Sequence, residues 1–483
     1  MDTTASKTPA PLPFSAWQAM APAEASREVH TRVAALPEKL RSAALAWLRP
    51  EAELAVELGQ TETVGGALCP DSLAIEAVPS GHKAHPTVKP SGASKLAPTK
   101  NKLRLQGVPY LLKDLFDVAG LPTKAGSTFL DKVRPTLGDS TIVQRLRESG
   151  AAFAGKTHLV EFASGLTGEN PHYGDCPHPH FLDHLSGGSS SGSAALVSAG
   201  VVPLSVGTDT GGSVRVPAAW CGLYGFRLTP GDPLIGDAFP LAPTMDTAGW
   251  FTANPSDMLT AWRALAVGRV NRPDEPSRSI AAHPEDSPYH QTKLPRGCYL
   301  PGRALLPSIA LSVDAACEQA AAPFATRADA ATETALLSSW QNAVDAYVTI
   351  GMSEAHAVHR DWLAPFREHY DPIIWQRFTD AGHYPAEKIA AARATLQQVR
   401  ETWAQFFASY DFLVLPSVPT SAPTKAECTA ELRRSILALT APASLGGLPC
   451  LSLPVALLSG LSAGLQVILP AANSPVVPWI LER

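Results

Sequence analysis

Two glycine–serine segments and one lysine hold the residue types in this sequence that could do covalent chemistry. The first segment is Ser186–Gly187–Gly188–Ser189–Ser190–Ser191–Gly192–Ser193. The second is Gly207–Thr208–Asp209–Thr210–Gly211–Gly212–Ser213–Val214–Arg215. Glycines let the backbone turn sharply and let other groups approach its N–H donors. A serine hydroxyl becomes a nucleophile once a base takes its proton, and the oxyanion that follows needs hydrogen-bond donors. Histidine is the usual base. A lysine serves if burial lowers its pKa enough to keep it neutral. Lys113 follows the apolar start of VPYLLKDLFDVAG, where such burial is expected.

Each of these features also has a plainer reading. A Gly/Ser run is often a linker, but the apolar AALVSAGVVPLSV follows the first segment at once. The second segment lacks the G-x-x-x-x-G-K-[ST] order of a phosphate loop. A lone lysine after a strand is more often a surface residue. Asp209 and Arg215 read as structural, holding the shape of the loop. Cys176, His178, His180 and His184 form a C-x-H-x-H-x3-H cluster. It has enough ligand types for zinc, but its spacing matches no common zinc signature. The expectation is a polar loop near the mouth of the site and no metal. Cys221 lies in the apolar AAWCGLYGF and reads as a buried, inert thiol.

The stretch from Gly107 to Gly249 closely resembles the amidase signature family. GVPYLLKDLFDVAGLPTKAGS looks like its lysine motif, and GGSSSGSAALVSAGVVPLSVGTDTGGSVRVPAAWCGLYGFR looks like its glycine–serine signature. GGLPCLSLPVALLSGLSAGLQVI is similar to the family's C-terminal strand region. The resemblance implies Ser213 as nucleophile, Ser189 as bridging serine and Lys113 as general base. It implies a cis bond at Gly188–Ser189. The implied oxyanion donors are the N–H groups of Thr210, Gly211, Gly212 and Ser213 itself. It further implies amide hydrolysis through an acyl-enzyme, with a small-molecule amide as substrate and no metal or organic cofactor. Two other readings stand beside it: a non-catalytic amidase-like binding module, or the glutaminase-type component of an amidotransferase. LYGFRLTPGDPLIGDAFPLAPTMDTAGWF is closer to stand-alone small-amide hydrolases, although Arg227–Leu228–Thr229 departs from the usual KPT pattern. By analogy, the loop Gly165–Asn170 lines the site.

The elements that must position these residues follow from periodicity. VPYLLKDLFDVAG, GAAFAGKTHL and VVPLSVGTDTGG read as short apolar strands ending in turns. STIVQRLRESG and GSAALVSAG read as intervening helices, so the pattern is α/β. Residues 1–75 read as helical, with Pro50 as a break. Residues 77–103 read as a basic solvated loop and residues 268–295 as a surface connection. The steps of Ile389, Leu396, Val399, Trp403 and Phe406 predict an amphipathic helix over 386–409, and YDFLVLPSVPT a buried strand. The uncharged run Ser435–Leu481 is interrupted by Pro and Gly and reads as buried strands and turns, not a membrane span. The expected whole is an α/β/α sandwich around a central mixed β-sheet. Its expected division is an N-terminal helical portion and loop (1–84) packed on an amidase signature domain (85–483).

Composition fits that architecture. The chain has 483 residues, 45% hydrophobic and 17% charged, which is globular rather than disordered. A net charge of −5 gives no electrostatic reason to expect nucleic acid. Seven scattered cysteines and no apolar leader at the N-terminus suggest a reduced, cytoplasmic protein. A membrane is not expected as a partner; a homodimer is the assembly allowed for.

Overall fold

The computed structural model describes residues 8–60, 103–267 and 294–483. The basic stretch before Leu103, most of the 268–295 connection and the expected division at 84/85 lie outside these residues.

Eleven strands among the described residues form one mixed sheet. They are β1 (Leu45–Leu48), β2 (Val108–Lys113), β3 (Ala151–Thr157), β4 (Leu204–Thr208), β5 (Tyr224–Arg227), β6 (Ala248–Thr252), β7 (Gly297–Tyr299), β8 (Thr326–Arg327), β9 (Phe412–Pro416), β10 (Cys450–Ala456) and β11 (Ser462–Ile468). Their order across the sheet is β1-β3-β2-β4-β6-β5-β10-β11-β9-β7-β8. β2 pairs in parallel with both β3 and β4, whereas β10 pairs antiparallel with β5 and β11. Helices cover both faces, as the α/β pattern requires.

The centre of the sheet is apolar on both sides, so its strands are nearly continuous apolar runs. Along β2 the side chains alternate. Val108, Tyr110 and Leu112 enter one core cluster, and Leu111 enters the other. Lys113 therefore continues the Leu111 side, where the helix Ser191–Ser198 lies. All eight residues of that helix are buried, because it is held between the sheet and the N-terminal helices. Thr141–Glu148, in contrast, buries Ile142, Val143 and Leu146 and leaves its charged face outward.

Two sequence expectations change. LAWL does not continue a helix. It forms β1, which pairs antiparallel with β3, so the N-terminal portion contributes an edge strand as well as packing. Ser435–Gly446 is not strand and turn. It belongs to the helix Ala430–Gly446, with Pro442 inside it and Gly447 closing it in the left-handed conformation. Further along the uncharged run, β10 and β11 lie inside the sheet as expected, whereas the turn between them is exposed at Leu458 and Val476–Leu481 is a short helix. Ala386–Ser409 is helical over its expected length. No helix among the described residues is long and apolar enough to cross a membrane.

Candidate active site

Lys113 is the last residue of β2 and Thr208 the last of β4, so both stand at the carboxyl ends of adjacent parallel strands. Open α/β sheets bind ligands at such ends. Ser189 and Ser190 immediately precede the helix Ser191–Ser198, and the Gly188–Ser189 bond is cis, as the resemblance implied.

Lys113 is wholly buried. Its Nζ lies 2.7 Å from Ser189 Oγ, 3.0 Å from Ser190 Oγ and 2.7 Å from Thr208 Oγ1. Burial lowers its pKa to about 7, against a smaller opposing effect of the Asp209 and Asp246 carboxylates. The surface-lysine reading is thereby set aside. Gly188–Gly192 also spells the G-x-S-x-G string of serine–histidine hydrolases, with Ser190 at its centre. Ser190 instead donates to the Thr208 carbonyl at 3.1 Å and receives the Thr208 N–H at 3.2 Å.

Ser213 lines a cavity of about 430 Å³, within the usual range for small-molecule sites. Its loop is held by Asp209, which is fully buried. The Asp209 carboxylate accepts from the N–H groups of Gly212 (2.8 Å), Val214 (3.1 Å) and Arg215 (3.2 Å). It also pairs with Arg215 at 3.0 Å and Arg227 at 2.9 Å. Burial pushes the Asp209 carboxyl up, but the two guanidiniums hold it far below the usual carboxylate range. The C-terminal half completes the clamp. Thr440 Oγ1 donates to the Gly211 carbonyl at 2.6 Å, and Arg215 Nη1 donates to the Thr440 carbonyl at 2.9 Å and Gln466 Oε1 at 2.8 Å. Gly212 has φ +131°, a conformation that a side chain would strain.

The four N–H groups expected to serve as oxyanion donors differ in their partners. The Gly212 N–H is already committed to Asp209 Oδ1. Those of Thr210, Gly211 and Ser213 make no hydrogen bond to the described residues. Lys113 Nζ donates to Ser189 Oγ, and no hydrogen bond joins Ser189 Oγ to Ser213. Such contacts are often long in unliganded enzymes and tighten with substrate bound.

The Cys/His cluster does not converge. Cys176 is buried, and burial pushes its thiol up to about 12. His178 Nε2 is 3.1 Å from the Trp220 carbonyl, and His180 Nδ1 is 3.0 Å from Thr8 Oγ1. The described residues contain no group of three acidic, His or Cys side chains arranged to hold a metal, and none of the four lines the cavity. Cys221 is buried and its thiol is raised well above the usual value. Of the Gly165–Asn170 loop, Gly165 and Leu166 line the cavity. Asn170 instead bonds the Gly126 and Leu159 carbonyls.

Four contributors have no sequence motif. Arg227 was visible only as a departure from KPT, and it is the second guanidinium on Asp209. Tyr347, from the helix Ala343–His359, lies against Gly211 and lines the cavity. Arg377 and Arg433 line the cavity from two further helices.

The family model "Amidase" matches residues 85–474. The AtzE component of 1-carboxybiuret hydrolase from Pseudomonas sp. strain ADP is 31% identical over 363 residues, covering 72% of this chain and 77% of that protein. Amidase 1 of Arabidopsis thaliana is 28% identical, covering 79% and 92%. A glutamyl-tRNA(Gln) amidotransferase component of Symbiobacterium thermophilum is 31% identical, covering 78% and 83%. Among solved structures, an amidase crystal structure superposes with TM-score 0.74 at 25% identity, over 96% of each chain. A chain of a vestigial complex tied to the origins of an s-triazine catabolic enzyme does so with TM-score 0.75 at 26% identity, over 95% and 93%.

Proposed function

The chain belongs to the amidase family, whose members hydrolyse carbon–nitrogen bonds, and from that premise we propose that it hydrolyses linear amides with Ser213, Ser189 and Lys113. The observation that carries this reading is the buried Lys113 amine, held by hydroxyls from both glycine–serine segments. Neutral Lys113 takes a proton from Ser189, which takes one from Ser213. Ser213 Oγ attacks the amide carbonyl carbon and forms a tetrahedral adduct. The free N–H groups of Thr210, Gly211 and Ser213 receive its oxyanion. The proton returns through Ser189 to the leaving nitrogen as the C–N bond breaks. Water then hydrolyses the acyl-enzyme by the same relay, releasing a carboxylic acid. Apart from the attacking water, each proton transfer in this scheme runs through the chain's own side chains.

The test is Ser213→Ala. It removes the acyl-enzyme and lowers turnover by several orders of magnitude, with the fold intact. Unchanged labelling of Ser213→Ala by a fluorophosphonate would show that another residue is the nucleophile.

The amidotransferase relative supports a second reading, in which the ammonia passes to a partner. Ammonia release by the purified protein without any partner separates the two. A hydrolase works by itself, whereas an amidotransferase component should come with its partner.

A further inference from the structure

The lining of the Ser213 cavity carries more positive than negative charge. It includes Arg377, Arg433 and Arg434 and a single acid, Asp380. Arg434 is engaged by Asp345, with bonds of 2.8 and 3.2 Å. Asp380 accepts from Gln376 Nε2 at 2.6 Å. Arg377 makes only a 3.5 Å bond to the Ser164 carbonyl. Arg433 Nε is buried without a hydrogen-bond partner. Neither Arg377 nor Arg433 forms an ion pair with the described residues.

The acids nearest to them are occupied. Asp371 Oδ1 caps the N–H groups of Ile373 and Ile374 at 2.7 and 3.2 Å. Glu169 is bonded to Lys425 at 2.8 Å and Thr167 at 2.6 Å. Arg377 and Arg433 also line an adjoining pocket of about 150 Å³, so both stand where the two spaces meet. Burial, and then the charge of Arg433, lowers the pKa of Arg377 below the ordinary guanidinium value, against a smaller opposing effect of the Asp371 and Glu169 carboxylates.

Two half-buried guanidiniums side by side are unfavourable without a counter-charge. The planar fork of arginine matches a carboxylate with two parallel bonds. The same cavity is also lined by the apolar Leu166, Val344, Val348, Met352 and Leu437. We propose that Arg377 and Arg433 bind a carboxylate of the substrate, so that the preferred substrates are amides with an apolar body and a terminal carboxylate. The assignment deepens the hydrolase reading and rests on Ser213 marking the reacting end of the cavity.

Binding to the Ser213→Ala protein is measured by calorimetry. The probes are adipamic and pimelamic acids and their uncharged counterparts, hexanamide and heptanamide. The acids should bind at least about tenfold tighter, the size expected of charge-assisted bonds. The preference should fall to parity when Arg377→Gln or Arg433→Gln is added to Ser213→Ala, with melting temperature checking the fold. Equal binding, no binding of the acids, or a preference that survives both substitutions overturns the proposal. Ammonia release by the unsubstituted protein is read separately. Hydrolysis of hexanamide without an anionic preference removes the carboxylate subsite and leaves the hydrolase. Selective binding of the acids with no ammonia released from any probe removes the hydrolase and leaves the subsite.

Discussion

Ser190 Oγ and Lys113 Nζ are 3.0 Å apart, and the bond between them runs from the amine to the hydroxyl. The direction follows from the Ser190 proton, which is donated to the Thr208 carbonyl at 3.1 Å. A neutral amine has two N–H groups and one lone pair. With its N–H groups directed at Ser190 and Thr208 Oγ1, its lone pair faces Ser189 Oγ, 2.7 Å away. In the proposed mechanism Ser190 and Thr208 are thus positioning residues that turn Lys113 toward Ser189. Ser190→Ala should slow acylation by about tenfold, the worth of one hydrogen bond. It should also move the acid limb of the rate profile to lower pH, because the charged amine loses an acceptor. Single-turnover acylation against pH checks both, and an unmoved limb contradicts the bond direction.

In the proposed mechanism Lys113 sets the pH dependence. With its pKa lowered to about 7, Lys113 is charged below that value and cannot accept a proton. Acylation should rise through about pH 7 and level off above it. In the unfolded chain the same group has its ordinary pKa of about 10.4. From about pH 7 to about pH 10 the unfolded chain therefore holds a proton that the folded chain has released, and stability rises with pH across that window. Lys113→Met should abolish acylation at every pH and flatten that part of the stability profile. Lys113→Arg should be equally inactive, since guanidinium stays protonated. Urea unfolding across the window, beside the acylation assay, is the measurement. Wild-type acylation in Lys113→Met would remove lysine from the mechanism.

The sequence makes legible what is local. β2, β3 and β4 and the helix Ala386–Ser409 announce themselves by period, and Lys113, Ser189 and Ser213 by long contiguous motifs. β1 does not, because four half-exposed residues make a strand only through pairing with β3, distant in the chain. The helix Ala430–Gly446 misleads for a different reason. Its inner turns pack on the site, where Thr440 and Ser444 bond Gly211 and Arg215, so its second half has no charged face. Arg377, Arg433 and Tyr347 come from three helices and meet only in three dimensions, so no spacing could signal them.

Asp209 anchors the Ser213 loop, and its partner Arg215 carries the link on to Thr440 and Gln466 in the C-terminal half. The Asp209 carboxylate answers two buried guanidiniums and three backbone N–H groups. Asp209→Asn should therefore destabilise the protein by about 3–5 kcal/mol, the usual effect of breaking a buried ion pair from one side. Urea unfolding measures it. Because the carboxyl is held far below its usual range, its protonation should leave no step in activity near pH 4. A loss below about 1 kcal/mol, the ordinary cost of a point substitution, would show that the clamp is dispensable.

Gly211 and Tyr347 set the last expectation. A Cβ at Gly211 would overlap the Tyr347 phenol, so this glycine makes room for a side chain of the cavity wall. Gly211→Ala must push the ring aside or shift the loop, which moves the Gly211 and Ser213 N–H groups from their places. If these are oxyanion donors, as proposed, losing one should lower turnover by about a hundredfold or more. The effect should fall on kcat more than on KM, because the donors act on the transition state. Tyr347→Ala removes the obstruction, so Gly211→Ala combined with it should recover most of the turnover of Tyr347→Ala alone. Steady-state kinetics of the four proteins form a double-mutant cycle. If the two substitutions act independently, the contact is not what makes glycine necessary there.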